Sequence, residues 1–155
     1  MRRLMLCFVL VCAVAALSAS VAPAKNGRGV LCVLHAKLAA KNETTGSTSA
    51  AKGHTVIQVR TDGTIHFETQ INNKKLETFV AGHIHQAPVG VAGPIVVPLF
   101  VAPAPATNAR HIKQSGVATP NAGTTGAALC ASPSAYYVNY HTTAFPGGAI
   151  RGQLH

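Results

Sequence analysis

The sequence is poor in acidic residues, with four among 155 positions, and it contains no tryptophan. The last acid is Glu77, so no carboxylate side chain follows in the second half of the chain. A Ser-His-Asp triad would have to use Asp62, Glu43, Glu68 or Glu77, and no nucleophile-elbow sequence is present. The acids form no obvious pair for glycoside hydrolysis. Neither a P-loop nor a dinucleotide-binding glycine motif occurs. These absences argue against the common classes of hydrolase and nucleotide-dependent enzyme.

Long apolar runs are also missing, apart from one at the N-terminus. Two arginines precede an apolar stretch over residues 4–17, and small residues then lead to Ala22-Pro23-Ala24. A basic start, a short apolar segment and an A-x-A site are typical of a cleaved signal peptide. A membrane span would need about 20 apolar residues, so a retained anchor is the weaker alternative. The sequence therefore predicts a signal peptide over residues 1–24 and one domain over 25–155. The mature protein would be secreted, or periplasmic in a bacterium.

Cysteine is scarce in the predicted mature chain. Of four cysteines, Cys7 and Cys12 lie in the signal segment, which leaves Cys32 and Cys130. An even number of cysteines in an oxidising compartment favours a disulfide between them, the alternative being two free buried thiols. Asn42 begins the sequon Asn-Glu-Thr and would be a glycosylation site in a eukaryotic source.

The chain is basic, with 13 Lys and Arg residues and a formal net charge of +9. The cations are scattered along the sequence and no basic cluster with interleaved aromatics occurs, which argues against nucleic acid as a partner. The charge is compatible with loose attraction to anionic surfaces. The partner predicted is an unknown extracellular protein or an anionic polysaccharide.

Alternation of apolar and polar residues dominates the sequence and predicts β-strands. Strands are predicted over residues 30–38, 55–60, 65–71, 76–85, 95–101, 136–142 and 149–154. Asp62-Gly63 predicts a hairpin turn, and Pro98 indicates an edge strand or a bulge. Residues 102–134 are rich in small and turn-forming residues and are predicted to be mainly loop. The expected fold is an all-β, antiparallel, Greek-key-like β-sandwich or barrel of about six to eight strands.

Histidines are unusually frequent on the polar sides of these strands. His83 and His85 flank Ile84, so their Cα atoms should lie about 6.5–7 Å apart on one strand face. Alternation also places His141 and His66 away from the core. If the strands bring these four side chains together, they could bind copper or zinc, with His111 as a further ligand. The alternative is a set of exposed histidines that bind no metal, so no cofactor is required by the sequence.

Two segments are similar to a known family. Gly82-His83-Ile84-His85-Gln86-Ala87-Pro88 with the following residues 93–100, and residues 136–142 with 146–154, resemble the two motifs of the CHRD (chordin) domain. The resemblance covers about residues 30–154. It implies an extracellular β-sandwich module. The leading hypothesis is therefore a secreted, non-enzymatic binding or matrix protein of unknown partner.

Several residues of these motifs have expected structural roles. Gly93 and Gly148 should permit turns with positive φ, and Pro94 should stiffen a loop exit. Asn139 should satisfy backbone groups in a turn. Arg151 should bridge to the strand of His141, with Glu68 as one possible partner.

The sequence has a weaker similarity to copper/zinc superoxide dismutases, which also combine an H-x-H strand with a later histidine. His83, His85 and His141 would correspond to copper ligands. The zinc-binding aspartate has no counterpart, because no acid follows Glu77. The alternative function is thus a copper- or zinc-binding protein, with superoxide dismutase-like redox activity as its one enzymatic form.

Overall fold

The computed structural model describes residues 29–101 and 108–155, and the predicted signal peptide lies outside them. Eight strands account for most of the described chain, with one short helix and two 3-10 turns. The strands are β1 (Val30–Ala39), β2 (Lys52–Arg60), β3 (Ile65–Asn72), β4 (Phe79–Gln86), β5 (Ile95–Val101), β6 (His111–Ala118), β7 (Tyr136–Thr142) and β8 (Ile150–Gln153). The helix α1 is Gly126–Ala131, and the 3-10 turns are Ala40–Asn42 and Pro133–Ala135. The prediction of an all-β fold is confirmed.

The strands form one antiparallel sheet in the order β5-β4-β7-β8-β1-β2-β3-β6. The sheet curls into a nearly closed barrel, with β5 and β6 as its two edges. Pro98 lies on the edge strand β5, where its missing N–H leaves no central ladder bond unmade. Register irregularities interrupt the β4–β5 pairing on either side of His83 and Ile84. In the described residues, no helix is long and apolar enough to cross a membrane.

The core fills the inside of the curled sheet. Alternate residues of every strand point inward, and Ile57, Ile84, Val138 and Ile150 are completely buried. A chain of hydroxyl groups crosses this apolar interior. The Tyr140 hydroxyl donates to Thr69 Oγ1 at 2.8 Å, and Thr69 shares a second 2.8 Å bond with Thr55 Oγ1. Burial raises the pKa of the Tyr140 hydroxyl, so this group stays protonated.

Within the segment predicted to be mainly loop, the described residues 108–134 are more regular than their composition indicates. Strand β6 pairs with β3 over its whole length. The sequence of β6, HIKQSGVA, has weak apolar alternation, and β6 forms because it satisfies the backbone groups of β3. Helix α1 follows, and Thr125 caps it by accepting a hydrogen bond from the Ala128 N–H at 3.1 Å.

Strand β4 begins three residues later than the sequence predicts. Asn73 closes a turn that occupies the expected first residues. Its side-chain nitrogen donates to Glu77 O at 2.8 Å and its oxygen accepts from Glu77 N at 2.9 Å. Leu76 adopts a positive φ of 56° within this turn, which a strand does not permit.

The predicted disulfide between Cys32 and Cys130 is present. Cys32 lies on the inward side of β1, and Cys130 lies on α1 rather than in an irregular loop. The bond closes a separation of 98 residues and holds the helix over one end of the barrel.

Removing this bond should destabilise the domain. Closing so long a loop restricts the unfolded chain, and disulfides of this kind contribute about 2–5 kcal/mol. We expect Cys32→Ser/Cys130→Ser to lose that much free energy of unfolding in urea titrations. The wild-type protein with its disulfide reduced is the matched comparison and should show the same loss. A loss below about 1 kcal/mol in both would contradict the prediction.

Candidate metal centre

The outer face of strands β4 and β7 presents three histidines. Inward-pointing Gly82 and Ile84 alternate with His83 and His85 on β4. On β7, Val138 and Tyr140 point inward, which turns His141 outward. The register pairs His83 with Asn139 and Ala81 with His141, so His141 lies diagonally next to His83.

The ring nitrogens of the three histidines converge. His83 Nδ1 and His141 Nε2 are 3.1 Å apart, and one nitrogen of each ring lies within 4.8 Å of the others. A tetrahedral metal with bonds of about 2.0–2.1 Å places its ligand nitrogens about 3.3 Å apart. The 3.1 Å contact is a hydrogen bond between the two rings, and its length is close to the spacing that a shared ion requires. His85 completes a three-nitrogen face.

Backbone carbonyls fix the orientation of two of the rings. His85 Nδ1 lies 2.9 Å from Gly93 O, and His141 Nδ1 lies 2.8 Å from Pro146 O. A carbonyl can only accept, so each Nδ1 carries the proton and each Nε2 keeps its lone pair. Metal-binding histidines are oriented in this way, because the bond at one nitrogen sets the tautomer and aims the other.

His85 Nε2 has no hydrogen-bond partner, although His85 is only 8% exposed. A buried acceptor without a partner is costly in a folded protein. An ion bound to Nε2 would satisfy it. The donor set therefore fits a metal that prefers nitrogen ligands, such as copper or zinc.

The electrostatic environment keeps the three rings neutral, as metal binding requires. Burial, aided by His141 and His85, lowers the pKa of His83 from 6.5 to about 4. Burial also lowers the pKa of His85 and that of His141, although their hydrogen bonds to Gly93 and Pro146 act in the opposite direction. At neutral pH all three can offer a lone pair.

The His85 ring stacks on Tyr137, and Arg151 packs on the same tyrosine ring. The Tyr137 ring lies parallel to the His85 ring, with centroids 4.8 Å apart and an angle of 8°. The Arg151 guanidinium carbon lies 3.3 Å from the centroid of the same tyrosine ring. The Tyr137 hydroxyl accepts from Gly93 N–H at 3.2 Å, so one loop residue contacts both Tyr137 and His85. Arg151 also donates to Pro88 O at 3.0 Å.

Glu43 is a member of this outer cluster that the sequence did not indicate. It follows the 3-10 turn after β1, and its carboxylate accepts from Asn139 Nδ2 at 2.7 Å. The remaining oxygen of Asn139 is buried without a partner. Burial raises the pKa of Glu43 to about 7, against a smaller lowering by Arg151. No sequence signal marks Glu43, because it lies outside both motifs and within a polar loop.

Gly148 makes the contact between Glu43 and Asn139 possible. A Cβ there would lie 2.6 Å from Asn139 Nδ2 and 2.8 Å from a Glu43 oxygen, and its φ of 140° disfavours other residues. Gly93 does not have the expected positive φ. Its role is close approach, because a Cβ at Gly93 would collide with the Gln86 carbonyl. Pro94 accepts a hydrogen bond from Gln86 N at 3.1 Å as the loop returns to the sheet.

Two expected roles are corrected. Arg151 does not use Glu68, which accepts a hydrogen bond from Gln70 on the far half of the sheet. Arg151 is instead 2% exposed beneath Pro88, close to Glu43 and Tyr137. Asn139 bonds to a side chain instead of to turn backbone.

The other predicted ligands lie elsewhere. His66 is on β3, next to Gln58 and Val117 on the neighbouring strands, and His111 begins β6. Neither belongs to the group of converging nitrogens. Asn42 is exposed, and its side-chain nitrogen donates to Arg151 O at 2.9 Å. Its glycosylation stays a prediction.

The fold and the cluster together define a class of protein: a small disulfide-linked β-barrel that presents three histidines on its outer face. The family model of the CHRD domain matches residues 34–154. The chain belongs to the CHRD domain family. No curated protein and no solved structure matches it significantly.

The raised pKa of Glu43 gives a pH-dependent effect on stability. The folded protein keeps a proton on Glu43 up to about pH 7, whereas the unfolded chain releases it near 4.5. This contribution to stability is complete below pH 4.5 and is lost as the pH rises through about 7. Glu43→Gln has no such proton. We therefore expect the free energy of unfolding of Glu43→Gln, relative to wild type, to increase between these two pH values and then level off.

Urea unfolding at several pH values measures this difference, in which the contributions of the histidines cancel. Glu68→Gln removes the same formal charge from an exposed strand face and is the matched control. A difference between Glu43→Gln and wild type that does not change with pH would contradict the raised pKa.

Proposed function

We propose that this chain is an extracellular CHRD domain that binds one copper ion through His83, His85 and His141. The observation that carries the proposal is the convergence of three imidazole nitrogens, two of them aimed by backbone carbonyls. Metal binding is the alternative interpretation of the sequence, and the extracellular location is common to both interpretations. The disulfide supports an oxidising compartment outside the cytoplasm.

Copper is preferred over zinc and over the hard cations. All three ligands are imidazoles, and carboxylate-binding ions such as Ca²⁺ and Mg²⁺ favour oxygen. Among divalent first-row metals, nitrogen sites bind Cu²⁺ more tightly than Zn²⁺. Zinc also forms sites with three histidines and one open position, so it is the competitor that the test must include.

Titration of the purified protein with Cu²⁺ and Zn²⁺, followed by calorimetry and elemental analysis, tests the proposal. We expect one equivalent of copper to bind, and more tightly than zinc. His85→Ala should weaken copper binding by about 100-fold or more, because it removes a ligand that the protein has already oriented. His66→Ala removes one histidine outside the cluster and is the matched control. Equal loss in both variants, or no copper binding by wild type, would refute the proposal.

Copper should also stabilise the folded protein. A ligand at 100 times its dissociation constant adds about 2.7 kcal/mol when it binds only the native state. The rise in melting temperature should disappear in His85→Ala and persist in His66→Ala. A superoxide dismutation assay on the loaded wild-type protein separates a redox enzyme from a binding protein.

Tyr137 should influence the site although it is not a ligand. Its hydroxyl holds Gly93, whose carbonyl orients His85. Tyr137→Phe keeps the ring stacked on His85 but loses this hydrogen bond. We expect copper affinity to fall by about tenfold, with the one-to-one stoichiometry unchanged, since partners behind a ligand typically tune affinity by about 10–100-fold. Tyr136→Phe changes the neighbouring, inward-facing ring and is the control. Unchanged copper affinity in Tyr137→Phe would contradict this role.

A further inference from the structure

The cations that are scattered in the sequence are brought together by the sheet. Strands β1, β2, β3 and β6 lie side by side, and β8 separates them from the strands β4 and β7 of the histidine cluster. Their register aligns Lys37, His54, Gln70 and Lys113 in one row across the outer face. An adjacent row aligns Lys52, Asn72 and His111.

These two rows form a shallow groove on the outer face of the sheet. The groove has a volume of about 480 Å³, and its outward-facing side chains are Lys52, His54, Gln70, Asn72, His111 and Lys113. Lys37 extends the first row on β1. Neighbouring strands lie about 4.8 Å apart, so the row from Lys37 to Lys113 spans about 14 Å. Such a length matches a segment of an extended polymer better than a single small ion.

The groove carries an excess of positive charge. One carboxylate borders it on the same face, that of Glu68, which accepts a hydrogen bond from the Gln70 side chain at 2.9 Å. Its three lysines are exposed, and none of them forms an ion pair within the described residues. More cations surround the same end of the four strands: Lys41, Lys74, Lys75 and Arg110. Glu77 is the acid closest to them in the chain, and its carboxylate accepts hydrogen bonds from Ser49 and Ala50.

The groove chemistry distinguishes among polyanions. Single-stranded nucleic acid is normally bound on aromatic side chains, where its bases stack. The outward residues of these two rows include no Phe, Tyr or Trp. Amide and imidazole groups instead lie between the lysines, where they can bond to hydroxyl and anionic groups along a sugar chain. We propose that this groove binds an acidic polysaccharide, with Lys37, Lys52 and Lys113 as the main contacts.

Salt-gradient elution from immobilised heparin and heparin titration in the presence of EDTA test the proposal independently of any metal. Lys37→Gln/Lys52→Gln/Lys113→Gln should weaken heparin binding by about tenfold or more and lower the salt dependence, because fewer counterions are released. The matched control Lys41→Gln/Lys74→Gln/Lys75→Gln removes the same charge at the same end of the barrel but outside the groove. It should lose less than about threefold.

Two results would overturn the proposal. Equal losses in the two triple variants would mean that heparin binding follows net charge and needs no groove. Equal or tighter binding of oligothymidylate or phosphatidylserine vesicles, with the same dependence on the groove lysines, would assign the groove to another polyanion. Failure of copper binding leaves this test unaffected, and His85→Ala should bind heparin as wild type does. All of these substitutions replace exposed lysines or a histidine on the outer face. Melting curves of each variant are the control that it is folded.

Discussion

The register between β4 and β7 is the constraint on which the outer site depends. Tyr140 is fully buried, and its ring lies so close to Gly82 that a Cβ there would be 2.6 Å from a ring carbon. This contact holds β7 in one position against β4, and the hydrogen bond from Tyr140 to Thr69 ties β7 to β3 across the core. Because side chains alternate between faces, a slip of one residue in β4 would turn His83 and His85 inward, and the same slip in β7 would turn His141 inward. The apolar core therefore determines the positions of nitrogens that lie outside it.

Strand β7 is buried on both faces, so the side chains on its outer face are held in place by packing. Tyr137 and Asn139 are each 3% exposed, although both point away from the core. The loop after β4 and the turn before β8 cover them and supply the carbonyls of Gly93 and Pro146. Glycine and proline residues of the two CHRD motifs thus supply the carbonyls that orient His85 and His141. The motifs that identify the family and the residues that form the candidate site are largely the same.

Much of this arrangement could be predicted from the sequence, because it rests on local alternation. The strands on either side of Asp62-Gly63, the edge position of Pro98 and the outward direction of His83, His85 and His141 all follow from a period of two. Long-range pairing could not be predicted in this way. It excludes His66 from the cluster, creates β6 beside β3 and brings Glu43 to Asn139 across 96 positions. The two rows of polar and cationic residues could not be predicted from the sequence either, because their members come from four separate strands.

The overall positive charge bears on which metal the site can hold. A chain with a formal charge of +9 does not attract cations by its general field. Oxygen-preferring ions depend largely on Coulomb attraction to carboxylates, and the converging group contains only imidazoles. Glu43, the acid near Arg151, lies in a site where burial raises its pKa to about 7, so it is only partly ionised at neutral pH. The affinity for the proposed metal ion would therefore have to come from direct bonds to imidazole nitrogens that are already neutral and oriented. Among divalent first-row metals such bonds are strongest for copper. Under the two proposals, a cationic domain would bind a metal at one part of its sheet and an anionic polymer at another.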